Sequence, residues 1–593
     1  MTSNLFAEFR DIVVAALSQA VPGLPAEILA RVEVTPTKDA AHGDMATNAA
    51  MVASKAAGLR PQDIAAALVA TLSGRGAIEK AVAAGPGFVN LTIRADTLRA
   101  QLPAILRAGE AYGDSGAGGG VRVNVEYVSA NPTGPMHVGH CRGAIVGDAL
   151  ANLLSKAGFS VTKEYLINDA GGQVTALAWA AYWRYLQAIG TTLAQDAFAA
   201  IAPSGLQYLG DYLVAVGDAL AQAHGVALAT PDRKDADPAL WFEIVRETAL
   251  GMMMASVRED LDLLGVHFDV YSSERALMLT GATDITIERL RQLGLIYEGT
   301  LEPPKGKLPD DWEPRPQMLF RATRFGDDVD RPLRKSDGSN TYFANDIAYH
   351  ADKIERGAQI MIDVWGADHG GYVSRMKAAT RALSGDGGVQ LDVVLCQIVR
   401  VLKGGEPVRM SKRAGTFITL RDLLDEVGRD AVRFTMLTRK ADAQMDFDID
   451  AAIAQTRENP VFYVQYAHAR CRSVLRAAGE QTEILRDAWP EGSLESLDDA
   501  AELALIRRLI AWPRMVEAAA VAREPHRIAF FLYDLAGDFH MLWNRGREDA
   551  TLRFIQADHP AATSARLALV AATAIVIRSG LAVMGVKPVE EMR

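Results

Sequence analysis

Cysteine is almost missing from this chain: Cys141, Cys396 and Cys471 are its only three, each isolated in sequence. Such a set builds neither a disulfide framework nor a CxxC-type zinc site, so no bound metal and a reducing compartment are expected. Long apolar runs are missing too. The longest, Leu567 to Ile577, stops at Arg578; it is about half of the ~20 residues that cross a bilayer, which predicts a buried helix and no membrane partner. Met1 to Val21 mixes Glu8, Arg10 and Asp11 with Ile12, Val13 and Val14, an amphipathic pattern unlike a secretion signal. A cytoplasmic protein is expected. Nor is there an excess of positive charge: the net charge of -11 argues against indiscriminate coating of nucleic acid and leaves local patches as the route to RNA. Internal repeats and low-complexity tracts are also absent.

What is present is a chain of 593 residues, far beyond the roughly 250 to 300 at which one core stops growing, so two to four domains are expected. Residues 1–115 combine helical periodicity at Asp63 to Leu72 with a strand pattern at Gly87 to Ile93, which predicts a small α+β domain. The glycine-rich stretch Tyr112 to Gly120 reads as a flexible joint. Residues 116–450 open with a strand (Val121 to Val128), a helix (Gly139 to Ala157) and a second strand (Ser160 to Ile167), a βαβ unit that implies a parallel sheet. Strands at Gln359 to Val364 and Val393 to Val401, around a helix at Tyr372 to Leu383, extend it, and residues about 171–270 read as a helical insertion. Residues 451–593 form an all-α bundle.

Two motifs carry chemistry. His137-Val138-Gly139-His140 falls where the first strand hands over to a helix, the place where parallel α/β sheets bind phosphate-bearing ligands. Two imidazoles there can direct donors to the α- and β-phosphates of ATP, with Gly139 allowing close approach of adenosine. Taken alone the string is equally a pair of surface or capping histidines. More than 270 residues on, Arg409-Met410-Ser411-Lys412-Arg413 forms a cationic segment. Alone it reads as a solvated loop, but Lys412 has a second use: when a carboxylate attacks the α-phosphorus and pyrophosphate leaves, a lysine stabilises the charge growing on the leaving oxygens.

In this order the two motifs resemble the HIGH and KMSKS signatures of class I aminoacyl-tRNA synthetases, whose catalytic domain is a Rossmann-like nucleotide-binding fold. The second departs at both ends, Arg409 and Arg413 standing where the signature has lysine and serine, and keeps the second lysine as Lys412. The flanks, Glu126 to Pro132 and Tyr342 to His350, resemble arginyl-tRNA synthetases, as do His42-Gly43-Asp44, Gly87 to Asn90, Asn168 to Gln173, Trp365 to Tyr372 and Asn459 to Arg470. Other class I synthetases and nucleotidylyltransferases share the adenylate chemistry; cysteinyl and many methionyl synthetases rely on zinc-binding cysteine clusters that three scattered cysteines cannot supply, and nucleotidylyltransferases lack the length and the helical C-terminal domain. A non-catalytic paralogue would have no need of His137, His140 and Lys412.

The resemblance implies an arginine-tRNA ligase, a monomer, with L-arginine, ATP with Mg2+ and tRNA(Arg) as partners. It places His137, His140 and Lys412 in catalysis, and His137, Gly139, His140, Gly366, Asp368, Met410, Ser411 and Lys412 around ATP. Glu126, Asn131, Tyr342, Asp346 and His369 would surround arginine, which is chemically sensible because carboxylates hold a planar guanidinium with two hydrogen bonds. Without the motif, Asp346 is equally an N-cap or surface acid and Glu126 a solvent-facing strand residue. Residues 1–115 would contact the tRNA elbow and 451–593 the anticodon, the latter through Tyr463, Tyr466, Arg470 and Arg472, residues that read equally as part of a core-packing helix. The family commonly needs bound RNA before activating arginine, and that coupling is implied here.

Overall fold

The computed structural model describes residues 4–37, 39–191, 194–203, 205–229, 238–301, 315–408, 418–479 and 493–592. Met410, Ser411 and Lys412 therefore lie outside the described residues. The chain folds as two compact units, one of Met1–Gly119, Asn152–Gly158 and Ala454–Arg593, the other of Gly120–Ala151 and Phe159–Ile453.

The second unit is built on five parallel strands: β1 (Arg122–Glu126), β2 (Ser160–Ile167), β3 (Val270–Ser273), β4 (Ile360–Gly366) and β5 (Gln390–Cys396), in the order β5-β4-β1-β2-β3. Helix α1 (Val138–Lys156) joins β1 to β2, as the βαβ reading required. From β1 the chain steps one way to β2 and β3 and the other way to β4 and β5, so the order reverses between β1 and β4. In such sheets the crevice outside the carboxyl ends at the reversal is the ligand site. Glu126 and Gly366 end the two strands that border it. Val123, Val125, Met361 and Ile362 are buried, as expected of a sheet covered on both faces, and Asn124, Glu126, Glu164 and Asp363 are the buried polar exceptions.

The insertion between β2 and β3 is helical, with Gly172–Ala188, Val214–His224 and Pro238–Leu264 packed around Trp241, which stacks on Tyr182 at 3.8 Å. Two features differ from the sequence reading. The apolar run Val393 to Val401 is two strands: β5 ends at Cys396, Ile398 is exposed, and Val399–Lys403 pairs in parallel with Met445–Asp448 in another sheet. Periodicity locates extended backbone but not a change of pairing partner. A small antiparallel sheet of Ile296–Gly299, Gln317–Phe320 and Arg331–Pro332 was not anticipated, its strands being too short for alternation to show.

In the first unit a four-stranded antiparallel sheet buries Val89, Leu91 and Ile93 of the strand Phe88–Ile93, the alternate positions, against helices that include Pro61–Leu72. The glycine-rich joint is not a free linker. Gly113 has φ +91°, and a Cβ there would lie 2.4 Å from Trp512 Nε1, which donates to the Tyr112 carbonyl at 3.1 Å. Ser115 N and Gly118 N donate to the carbonyls of Lys156 and Ala157. The glycine permits close packing that composition alone could not distinguish from looseness. The helix Pro560–Val583 is longer than the apolar run within it, and although it is long and apolar enough to cross a membrane, most of its apolar stretch is buried in the protein. Arg566 near its start donates from Nε to Glu502 at 2.6 Å, both buried, the pairing that a buried charge requires.

Candidate active site

The histidine motif opens α1 at the end of the β1 loop. The rings of His137 and His140 stack with centroids 3.9 Å apart. Gly139 N donates to His137 Nδ1 at 3.0 Å and His137 N to His140 Nδ1 at 3.3 Å. An Nδ1 that accepts from the backbone places the ring proton on Nε2, which in His137 is buried. Any side chain at Gly139 would put its Cβ 2.7 Å from His137 Cε1, so the glycine is needed by the stacked pair itself as well as by a ligand. Two residues on, buried Arg142 donates to the carbonyls of Gln397, Ala443 and Lys440 at 2.7–3.1 Å, bracing the start of the helix.

The same segment is tied to the residues that follow position 417. Leu420 N donates to the Met136 carbonyl at 2.9 Å, Val138 N to Ile418 O at 3.4 Å, and His137 is bridged to Thr419. Thr419 then caps the helix Leu420–Val427 with a reciprocal Asp422 bond. Ile418 is six residues past Lys412, a span of about 20 Å at most, so the covalent chain allows the lysine to reach the histidines.

Beyond the crevice lies a row of ionisable groups. Helix α2 (Tyr342–Glu355) is capped by Thr341 and buries Phe343, Ala344, Ile347 and Ala351. Asp346, His350 and Lys353 recur at spacings of four and three, one helical stripe, and that stripe meets Glu126 at the end of β1 and Asp363 in the middle of β4. Lys353 Nζ donates to Glu126 Oε2 at 2.5 Å and to Asp363 Oδ1 at 3.1 Å. His350 Nε2 lies 2.9 Å from Asp363 Oδ2 and its Nδ1 2.8 Å from the Asp346 carbonyl. Burial works against each of these charges, but Asp363 and Glu126 outweigh it at Lys353 and hold its pKa above the usual range. Lys353 and His350 likewise bring the Asp363 carboxyl down to about 2. Glu126 is thus a buried residue, not a solvent-facing one, and it is neutralised from within the protein.

Asp346 is different. It is not an N-cap. Its Oδ2 accepts from Tyr372 Oη at 2.5 Å, and burial pushes its carboxyl up to about 6 against the pull of that bond. Glu274 lies beside it, raised first by burial and then by the Asp346 charge, and hydrogen-bonded by Asn345, which Thr283 contacts in turn. The two acids line a narrow cleft with Leu166, Leu277 and Tyr349. Among the described residues neither has a salt-bridge partner.

The loop after β1 is strained: Val128 and Ser129 have φ of +69° and +37°, a conformation costing on the order of 1–3 kcal/mol and typical of functional sites. Ser129 Oγ donates to Glu126 Oε1 at 2.9 Å, and Ser129 accepts from Leu166 N and Asn168 Nδ2. Sequence reasoning had no signal for this strain, for Glu274 or for Tyr372; the four-and-three spacing of Asp346, His350 and Lys353 is a signal it passed over.

The remaining expected residues are more scattered. Asn131 is exposed and donates from Nδ2 to Gln173 at 2.9 Å. Tyr342 is 68% exposed, with Lys335 Nζ 5.2 Å from its ring centroid. Gly366 ends β4, and Asp368 and His369 follow it in an exposed turn, 3.6 Å apart. The structure therefore brings Glu126 and Asp346 into one network and leaves Asn131, Tyr342, Asp368 and His369 exposed, with no bond to it among the described residues.

In the first unit, helix α4 (Pro460–Ala477) and helix α5 (His526–Glu548) share an aromatic and cationic cluster. Arg470 lies 4.1 Å over Tyr466 and 4.8 Å over Trp543, and its Nη2 donates to Tyr466 Oη. Tyr463 packs on His540 at 4.6 Å and on Tyr533 at 5.2 Å. Burial pushes His540 down to about 4, so it is neutral beside Arg470. Arg472 is paired with Glu590 at 2.5 Å. All four residues are half-buried, so packing and exposure coexist in them.

Comparison with known proteins agrees along the chain. Residues 7–93 match the arginyl tRNA synthetase N terminal domain, 101–192 the catalytic domain of class I (R) tRNA synthetases, and 464–592 the DALR anticodon binding domain. An arginine-tRNA ligase of Gluconobacter oxydans is 62% identical over 596 residues, covering all of this chain and 98% of its own. One from Ruegeria pomeroyi is 55% identical with both chains covered completely. The solved arginyl-tRNA synthetase of Thermus thermophilus, 22% identical, superposes on 98% of the chain and all of its own with a TM-score of 0.72, which bears on the fold.

Proposed function

Because the chain belongs to the arginyl-tRNA synthetases, we propose that it joins L-arginine to ATP as arginyl-adenylate and passes the arginyl group to the 3'-terminal adenosine of tRNA(Arg). The observation that carries the amino-acid assignment is the pair Asp346 and Glu274: two half-buried carboxylates side by side on one narrow cleft, with no salt-bridge partner among the described residues. A planar cation with five donors satisfies both, and a neutral side chain leaves them unpaired, which rejects it by about 10⁴ to 10⁵ without a separate editing site.

In the first step the arginine carboxylate attacks the α-phosphorus and pyrophosphate departs. His137 and His140 donate to the phosphates, and the Lys412 charge offsets that of the leaving group. No protein nucleophile is needed. In the second step a ribose hydroxyl of the terminal adenosine attacks the adenylate carbonyl and AMP leaves. Magnesium, where it accompanies ATP, would be held by the phosphates and would offset part of their charge. Gly366, Asp368, Met410 and Ser411 contribute to the ATP site, and Asn131, Tyr342 and His369 to the arginine site. We keep the division into residues 1–115 for the tRNA elbow, 116–450 for chemistry and 451–593 for the anticodon, with Tyr463, Tyr466, Arg470 and Arg472 as the RNA-facing residues, in a cytoplasmic monomer.

Charging total transfer RNA with each of the twenty amino acids in turn tests this: arginine alone is expected to react, and comparable charging by lysine would overturn it. A pH dependence follows as well. Asp346, at about 6 in the empty site, must be ionised to hold a guanidinium, so arginine affinity is lost as pH falls through that value and is fully present above it. Calorimetric titration is expected to show binding at least about tenfold weaker at pH 5 than at pH 7. Equal affinities would show that Asp346 is not the acceptor.

A further inference from the structure

Tyr372 closes the turn Ala367–Tyr372 after β4 and is the N-cap residue of α3 (Val373–Ser384). The family resemblance drew attention to Gly366, Asp368 and His369 of this stretch and gave Tyr372 no role. In the structure Asp368 and His369 are exposed, whereas the Tyr372 hydroxyl donates to Asp346 Oδ2 at 2.5 Å. Its ring is held edge-on by Phe343 at 6.2 Å and Trp365 at 6.0 Å, and Arg375 lies 4.8 Å over its face. The hydroxyl therefore cannot turn away unless the ring leaves this packing. No described residue hydrogen-bonds the other oxygen of Asp346.

We propose that Tyr372 is a positioning residue for arginine recognition: its hydroxyl takes one lone pair of Asp346 Oδ2 and so fixes the carboxylate plane that meets the guanidinium. This rests on the reading of Asp346 as the guanidinium acceptor. The physical reason is that a bidentate carboxylate–guanidinium pair requires the two planar groups to be coplanar, while an aspartate bonded to nothing rotates freely about its last torsion. Tyr372 is suited to the task because burial, and after it the neighbouring acid, pushes its own pKa far above the usual range, so at any working pH it is a donor. The charges facing Asp346 are His350 of its own helix, Glu126 of β1 and Asp363 of β4, with Lys353 between the last two, and Glu274 across the cleft; those facing Tyr372 are Arg375 and Arg331. None of the cations bonds the Asp346 carboxylate, which leaves Tyr372 to orient it.

The test is Tyr372→Phe in the full chain, assayed for aminoacylation with tRNA present across pH 5.5 to 8.5. Losing one hydrogen bond to a charged group is expected to raise the arginine KM by about tenfold to a hundredfold while leaving the ATP KM and kcat within about twofold. The acid limb of kcat/KM for arginine is expected to move to higher pH, because a donor that favours the ionised carboxylate is gone. A merely structural role would not move that limb. If arginine KM and limb are unchanged, or if arginine and ATP KM rise together with the limb in place, the proposal is overturned; thermal melting of the variant identifies the second case. Asp346→Asn serves as the control. If it leaves the arginine KM unaltered, the site reading itself fails; if it weakens arginine while Tyr372→Phe does not, only the positioning role fails.

Discussion

Replacing Lys412 by alanine is expected to lower arginyl-adenylate formation by about 10² to 10³ while leaving RNA affinity largely intact. The charge on the leaving pyrophosphate develops as the bond to the α-phosphorus breaks, so a cation there stabilises the transition state more than either ground state. Binding of transfer RNA spreads over many contacts and loses little from one lysine. Ile418 and Thr419 are bonded to the segment Met136–Val138. ATP–pyrophosphate exchange, measured with transfer RNA present, reads the effect. Unchanged exchange kinetics in the variant would remove Lys412 from the mechanism.

A second large effect is expected on stability. Lys353→Met leaves Glu126 buried without a cation and Asp363 with only His350, a loss of about 3 to 5 kcal/mol, since breaking a buried ion pair from one side strands an uncompensated charge. The pH dependence distinguishes this from lost packing. In the parent chain the Asp363 carboxyl, held down to about 2, contributes stability that is present above its unfolded value near 4 and fades as the pH falls through 2. In the variant, burial with the lysine gone raises the carboxyl pKa values, most at Glu126, and stability is regained as the pH falls and the acids protonate. Chemical unfolding at pH 5 and pH 8 is therefore expected to show the deficit shrinking toward acid, and the triple variant Lys353→Met, Glu126→Gln, Asp363→Asn is expected to recover most of it. A pH-independent deficit that persists in the triple variant would show that volume, not charge, is at stake.

Much of this molecule could be read from local pattern, because local pattern is what sequence encodes most directly. The alternation of Val89, Leu91 and Ile93 marks a strand, the strand-helix-strand order from Val121 to Ile167 marks a parallel sheet, and two short motifs 270 residues apart carry the resemblance to a family of known chemistry. Asp346 and Glu126 were reached the same way.

The sequence by itself determined the class of fold, the family and the kind of chemistry, since each depends on residue types at short spacing. Only the tertiary structure decided which charges meet. Lys353 bonds Glu126 from 227 positions away, Glu274 comes to lie beside Asp346 from another helix, and Tyr372 reaches the same carboxylate from the turn after β4. The physical reason is the range of the forces involved. Hydrophobic periodicity acts within a few turns of chain and leaves a trace in order and spacing, whereas the pairing of buried charges is chosen by desolvation in three dimensions, where separation along the chain has no bearing on distance.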